Sequence, residues 1–254
     1  MEILNSELTV VTCSKNDFPG LRRTLESLTC FQSDMPRVIL VLSEYSKVEV
    51  DLINSEFAVL NPDIYQIDAN GIYNAQNFGL NKVRTRLMLI LNGGDSLLSQ
   101  ASLQLLVQKI GTDDWGYGAC RFVDPIRGNS RIYQFSNYLR LLHRFGLKFV
   151  PHPSVLVNAG KAREFGGFDL NYKIAADHKM LLQFAKNAKP ITIAETIASF
   201  ELGGASSRKS SESVNDCMNI SHEIFGYFFR SRTLDRIIWR IILIIRKKLR
   251  TLVR

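Results

Sequence analysis

Three apolar runs, the first two β-branched, constrain this chain more than any other feature: LTVVTC over residues 8–13, RVILVL over 37–42 and RLMLIL over 86–91. They are too continuous for a sheet with one wet face, which would alternate apolar and polar positions. Between the first two, Phe18, Leu21, Leu25 and Leu28 recur at helical spacing, with Asn16 and Asp17 placed to cap that helix. DIYQI over 63–67 reads as a further short strand, residues 73–83 as a short helix, and Ser102 to Ile110 as another. Strands alternating with helices predict an α/β fold, a mostly parallel sheet flanked by helices on both faces. After about residue 115 the pattern loosens into short aromatic strands and loops. It then recovers a helix at Asp177–Asn187 and an apolar strand at Ile191–Phe200. A Gly/Ser-rich connection over 203–213 leads to C-terminal helices. The expected organisation is one α/β domain over residues 1–205, then a linker and helical tail over 206–254.

The net charge of +8 is not spread along the chain. From Arg230 onward there are nine basic residues against the single acidic Asp235, which accounts for the whole excess. A neutral body of this kind argues against nucleic acid as a partner, because that function places basic residues on the folded domain. In the tail, Ile237, Ile238, Ile241, Ile242 and Ile245 form an apolar face with Trp239 beside them, while Arg236, Arg240, Lys247 and Arg254 recur on another. The apolar run of nine residues contains Arg240 and falls far short of the ~20 needed to span a bilayer. A basic amphipathic helix lying on an anionic membrane surface fits; packing on the body or on a second copy is the other reading. The four cysteines form no CxxC pair, and residues 1–10 show no basic segment followed by an apolar block. Both features fit a cytoplasmic chain with no disulfide framework, zinc site or signal peptide.

Ligands of an open parallel sheet bind outside the carboxyl ends of its strands. At those ends the sequence places Thr12, Ser14 and Asn16 after the first run and Asp68 after the third strand. Asn92, Gly93, Gly94 and Asp95 follow the last run. Two glycines let the backbone approach a ligand closely and adopt positive φ, and Asp95 offers a hard oxygen to a cation. Ordinary turn chemistry explains the same residues, with Asp95 capping the next helix.

The ordered motifs TVVTCSKN, GIYNAQNFGL, LILNGGDSL, PHPSVLV and GGFDLNYKIAADHKMLL resemble bacterial family 2 glycosyltransferases of GT-A fold. The likeness is greatest to the branch that builds capsule, colanic-acid or lipopolysaccharide glycans, and covers roughly residues 8–205. It implies an inverting, metal-dependent transferase moving a sugar from a nucleotide-diphosphate donor to a glycan or lipid-linked glycan acceptor, and the basic tail adds the expectation of a cytoplasmic protein peripheral on the inner membrane. Under that resemblance LNGGD is a variant of the DxD site, so Asp95 is the ligand of Mg²⁺ or Mn²⁺ and Asn92 and Gly94 border the donor. Asp177, in KIAADHKM, is the general base that takes the acceptor's proton, and His152 contacts the acceptor or packs a loop. On the residues alone, Asp177 also reads as a first-turn aspartate serving a helix dipole. Asn74 and Asn77 hydrogen-bond nucleotide or sugar, or cap their helix. The family's aspartate after the second strand is represented only by Ser43 and Glu44, its acidic residue two before GIY is Ala69 with Asp68 one step back, and Asn74 replaces an aspartate. Glu44 and Asp68 are therefore taken as donor-binding residues. A membrane-tethered, catalytically weak nucleotide-sugar-binding protein is the alternative of another class. Nucleotidyl transfer lacks the basic phosphate loop it would need near the first strand.

Overall fold

The computed structural model describes residues 3–31, 34–124, 126–134, 137–202 and 212–227, together with 231, 233–235, 237–242 and 244. The first apolar run becomes β1 (Leu8–Lys15), after a short α1 (Ile3–Glu7). There follow α2 (Phe18–Thr29), β2 (Arg37–Ser43), α3 (Lys47–Glu56), β3 (Asp63–Gln66), α4 (Ile72–Lys82) and β4 (Leu87–Ile90). The second half holds β5 (Ser96–Leu97), α5 (Gln100–Ile110), β6 (Trp115–Asp124), β7 (Asn129–Tyr133), α6 (Arg140–Arg144) and β8 (Val155–Asn158). It ends with α7 (Ala159–Glu164), α8 (Ala176–Asn187), β9 (Ile191–Glu201) and α9 (Glu212–Phe225).

The strands form one mixed sheet of nine, in the order β3-β2-β1-β4-β8-β6-β9-β5, with β7 paired to the far half of β6. β1 pairs in parallel with β2 and β4, and β2 with β3. β8 is antiparallel to both β4 and β6, and β6 is parallel to β9. Six strands therefore run the same way, and the carboxyl ends of β1, β2, β3, β4, β6 and β9 share one edge. The entry to β8 lies at that edge too.

Alternation along β1 sorts the two helical layers. Val10 joins Leu21, Leu25 and Leu28 of α2, Ile53 of α3 and Leu103 and Leu106 of α5. Val11 and Cys13 join Ala75 and Leu80 of α4, Met180, Leu181 and Phe184 of α8, and Ile220 of α9. Such buried side chains each contribute roughly 1.5–3 kcal/mol by leaving water. Caps fix where the helices begin. Asp17 accepts the Gly20 N–H at 2.9 Å to open α2. Ser46 and Glu49 form a reciprocal capping box on α3.

Two features of the C-terminal region differ from the sequence reading. Ile220 and Ser221 of α9 are fully buried, so part of the segment after residue 205 is built into the body. The tail's apolar residues are also divided between two sides. Trp239 and Ile242 are buried against Phe145 and Cys217, with Ile238 packed beside them. The Trp239 ring lies 5.2 Å from that of Phe145 because α6 offers it an apolar seat, and Asp235 bonds His222 on α9. Leu234, Ile237, Ile241 and Ile244 are left exposed, spaced as one helical stripe. Most of the Gly/Ser connection and the basic positions Arg230, Arg232, Arg236 and 246–254 lie outside the described residues, as does Ile245. Among the described residues no helix is long and apolar enough to cross a membrane.

Candidate active site

The loop after β4 turns sharply beneath α2. Gly93 N–H donates to the Cys13 carbonyl at 3.0 Å, and a Cβ there would come within 2.8 Å of Ser14 Oγ. Gly94 has φ +99°, open to glycine and strained for other residues. The Thr24 hydroxyl donates to the Asp95 carbonyl at 2.7 Å and accepts the Gly94 N–H at 3.0 Å, fastening the turn to α2. Both glycines are thus required by geometry. Asp95 does not cap α5, whose first turn is capped by Ser99. Its side chain is turned inward, with the residue only 4% exposed. Burial pushes its carboxyl up to about 8, with backbone amides of Glu201 and Asn92 pulling the other way. A buried carboxyl without a counter-charge favours its neutral form.

Asp177 occupies the first turn of α8, a helix that has no side-chain cap. Its Oδ1 accepts the His178 N–H at 2.8 Å and the Tyr73 hydroxyl at 3.3 Å. The single Tyr73 hydroxyl proton is shared between that carboxylate and the nearer Ile174 carbonyl at 2.6 Å, and burial followed by the Asp177 charge raises its phenol pKa. His152 stands in the one-turn helix His152–Ser154 that leads into β8, its ring 5.6 Å from Phe168. Burial lowers its pKa, while the Asp177 charge opposes that shift.

The residue joining these parts was not apparent from sequence. Gln76 is 2% exposed, and its amide donates to Asn92 Oδ1 at 3.1 Å. Tyr73 and Gln76 stand three residues apart on α4, on one face of the helix. The turn after β4 and the carboxylate on α8 are therefore held by a single rigid element. Gln76 Oε1 is buried without a hydrogen-bond partner, which leaves an acceptor beside Asn92.

The remaining predicted positions divide by location. Ser14 bonds the Tyr45 hydroxyl at 2.7 Å, Asn16 has φ +44° and donates its N–H to the Ser43 carbonyl, and Glu44 pairs with Lys15 at 3.0 Å. Asp68 is exposed just past β3, and Asn74 is half-buried on the first turn of α4. All five lie at the carboxyl edge of β1–β3 or beside it. Thr12 is wholly buried inside β1 with its hydroxyl unpartnered. Asn77 is directed elsewhere: its amide nitrogen donates to the Phe168 carbonyl at 2.8 Å and its oxygen accepts the Phe168 N–H at 2.7 Å.

For a divalent cation, the described residues contain no cluster of three His, Cys, Asp or Glu side chains. Asp95 is a lone carboxylate at the expected turn. That donor set fits a cation that arrives with a diphosphate and keeps most of its own waters, not one stored in a protein cage.

A mixed sheet between helical layers, with its polar residues at the carboxyl edge, is the architecture of GT-A-type folds, and the comparisons agree. The structure of Staphylococcus aureus TarS 1–349 in complex with UDP-GlcNAc superposes with TM-score 0.68 at 15% identity, covering 85% of this chain and 66% of that one. TarS 1–349 in complex with UDP gives 0.67 at 13%, and this chain spans 64% of its length, under two thirds. The mannosyltransferase PcManGT of Pyrobaculum calidifontis, in complex with GDP-Man and Mn²⁺, gives 0.57 at 17%, covering 79% and 58%. In sequence, the uncharacterized glycosyltransferases MT1564 and Rv1514c of Mycobacterium tuberculosis are each 28% identical over 222 residues, 82% of this chain and 79% of theirs. No family model matches. Together these likenesses support a glycosyltransferase.

Proposed function

We propose that this chain is an inverting glycosyltransferase that moves a sugar from a nucleotide-diphosphate donor to a hydroxyl of a glycan acceptor. The observation that carries the reading is the α4 bridge. One helix face holds both Asn92, through Gln76, and Asp177, through Tyr73. A donor phosphate site and a base on the two sides of a reacting sugar need that fixed separation.

The nucleotide lies along the carboxyl edge of β1–β3, among Ser14, Asn16, Glu44, Asp68 and Asn74, with Asn92 and Gly94 facing the diphosphate. The acceptor oxygen attacks the anomeric carbon from the face opposite the phosphate. As that bond forms, the bond from carbon to phosphate oxygen breaks and the nucleoside diphosphate leaves with the electron pair. Asp177 takes the hydroxyl proton. Its Oδ1 is already engaged by His178 and Tyr73, which leaves Oδ2 for the proton. A Mg²⁺ or Mn²⁺ ion bound beside Asp95 would offset the charge of the departing diphosphate. The acceptor is lipid-linked and belongs to surface-polysaccharide synthesis. The exposed stripe of Leu234, Ile237, Ile241 and Ile244, followed by basic residues, holds the protein on the cytoplasmic face of the inner membrane.

The test begins with a thermal-shift screen of UDP, GDP and their sugars with Mn²⁺, since a ligand that binds the folded state raises its apparent stability. In Asp177→Asn, donor binding should persist while transfer falls at least ~100-fold. Near-normal turnover by that variant would return Asp177 to a helix-dipole role.

A further inference from the structure

Phe149 is a half-exposed aromatic that does no work in the core. It is 49% exposed, on the loop between α6 and β8. Its ring stacks on Tyr133, the last residue of β7, with centroids 4.8 Å apart and planes 13° from parallel. Phe122 of β6 meets both rings edge-on, at 5.7 Å from Tyr133 and 6.0 Å from Phe149. Phe200 of β9 closes on Phe122 at 5.6 Å. The Phe149 N–H donates to the Tyr133 hydroxyl at 3.4 Å, and the Lys148 ammonium stands 5.9 Å from the centre of the Tyr133 ring. One ring face of Phe149 is thus backed by an anchored aromatic group, and the ring remains half in water.

Its place in the sheet says what such a ring can meet. Tyr133 pairs with Cys120, so β7 takes over beside β6 above the point where β8 ends its pairing. The stack therefore lies at the carboxyl edge, next to the entry of β8. Phe149 precedes His152 by three residues, so their Cα atoms are at most about 11 Å apart, and His152 packs on Phe168, which stacks on Tyr73 beside Asp177. Phe200 immediately precedes Glu201, whose backbone amide stands at Asp95. Across the edge, the proposed nucleotide residues lie on β1–β3, the cation turn on β4, and the aromatic group on the far side, at β6, β7 and β9.

The geometry points to a carbohydrate platform. The exposed face of Phe149 receives the C–H face of a neutral hexopyranose in the acceptor glycan and directs its hydroxyl toward Asp177. A pyranose ring is apolar on its axial C–H face and polar at its rim, so it suits one flat apolar surface that leaves the rim in water. The assignment rests on the transferase reading above, and extends it to the class of acceptor and the residue that selects it.

The test is saturation-transfer NMR on the full chain with cellobiose, maltose and diacetylchitobiose as probes, in the presence of Mg²⁺ and UDP, or GDP if thermal screening selects it. Wild type should transfer saturation to the ring C–H protons of a probe. Phe149→Tyr, which keeps the ring, should retain the contact, and Phe149→Ala should weaken it about tenfold. Nucleotide affinity should be the same in all three. Unchanged saccharide contact in Phe149→Ala would overturn the platform and leave the transferase reading intact, as would no contact in a wild type that binds nucleotide. A wild type that contacts saccharide yet binds no nucleotide sugar would instead remove the transferase reading. Loss of binding to anionic phosphatidylglycerol vesicles in Phe149→Ala, with saccharide contacts unaltered, would reassign the ring to a lipid surface and overturn the proposal.

Discussion

Replacing Asp95 with asparagine should make the metal-free protein more stable at pH 8, which a loop carboxylate at a solvent-open site would not do. The carboxyl is pushed up to about 8 from its ordinary 3.8 by burial. Between those values the unfolded chain has released this proton and the folded chain still holds it. Folded stability on this count is complete below pH 3.8 and is lost as pH rises toward 8. At ~1.4 kcal/mol per unit, the loss between pH 5 and pH 8 is on the order of 4 kcal/mol. Asparagine has the same shape, can accept the neighbouring backbone amides and has no proton to lose. Urea unfolding in EDTA at pH 5, 6, 7 and 8 should therefore show wild type losing stability relative to Asp95→Asn as pH rises. At pH 8 in nucleoside diphosphate, adding Mn²⁺ should then further stabilise wild type and add nothing to the variant. Parallel pH curves for the two proteins would refute the buried-carboxyl argument. Equal rescue by metal would remove Asp95 from the cation site.

The other expectations concern packing and the tail. Asn77→Ala strips partners from both the N–H and the carbonyl of Phe168 and should cost about 2 kcal/mol in chemical denaturation, with nucleotide affinity unchanged. Loss of nucleotide binding at full stability would show Asn77 to be a ligand group. Trp239→Ala should destabilise the body by about 3 kcal/mol, because the side chain is buried against Phe145. Ile237→Glu with Ile241→Glu should leave the melting temperature in place and reduce sedimentation with anionic vesicles, since both residues are exposed. Unchanged sedimentation would withdraw the membrane face.

The parallel half of the sheet was legible because its signal is local. Continuous apolar runs over 8–13, 37–42 and 86–91 became β1, β2 and β4 within two residues at either end. α3 leaves little periodic signal in the sequence beyond Ser46 and Glu49 at capping-box spacing, since its apolar face is narrow and only Ile53 is buried. What sequence could not supply was contact across long separations. Asn77 meets Phe168 over 91 positions, and Tyr73 meets Asp177 over 104, so neither partnership leaves a local trace. Gln76 gives no sequence signal because an amide amid asparagines looks like surface helix; only its burial beneath Asn92 distinguishes it. In the tail, periodicity reported apolar residues of sufficient width for two faces. It carried no information on which face α6 and α9 would claim, and Trp239 went to them.

The α4 bridge has a consequence for how such a chain diversifies. Gly79 lets α4 lie flush on β1, where an added Cβ would come within 2.3 Å of Val11, so the bridge is set by the half of the sheet built first along the chain. The stretch from the end of β6 through β7 and α6 to the entry of β8 is an excursion from that frame. It leaves at Asp124 and returns at Val155, and among the described residues neither Tyr73 nor Gln76 hydrogen-bonds to it. Its second half is tied to α8, since the His143 ring lies 4.9 Å from that of His178 and Arg140 donates to the Ala185 carbonyl, but the β6–β7 hairpin leaves Ile126 and Ile132 exposed. Re-facing that hairpin alters what is presented at the edge without disturbing the helix that carries Asp177. A lineage could change its product by editing the hairpin of β6 and β7 while inheriting the reaction whole.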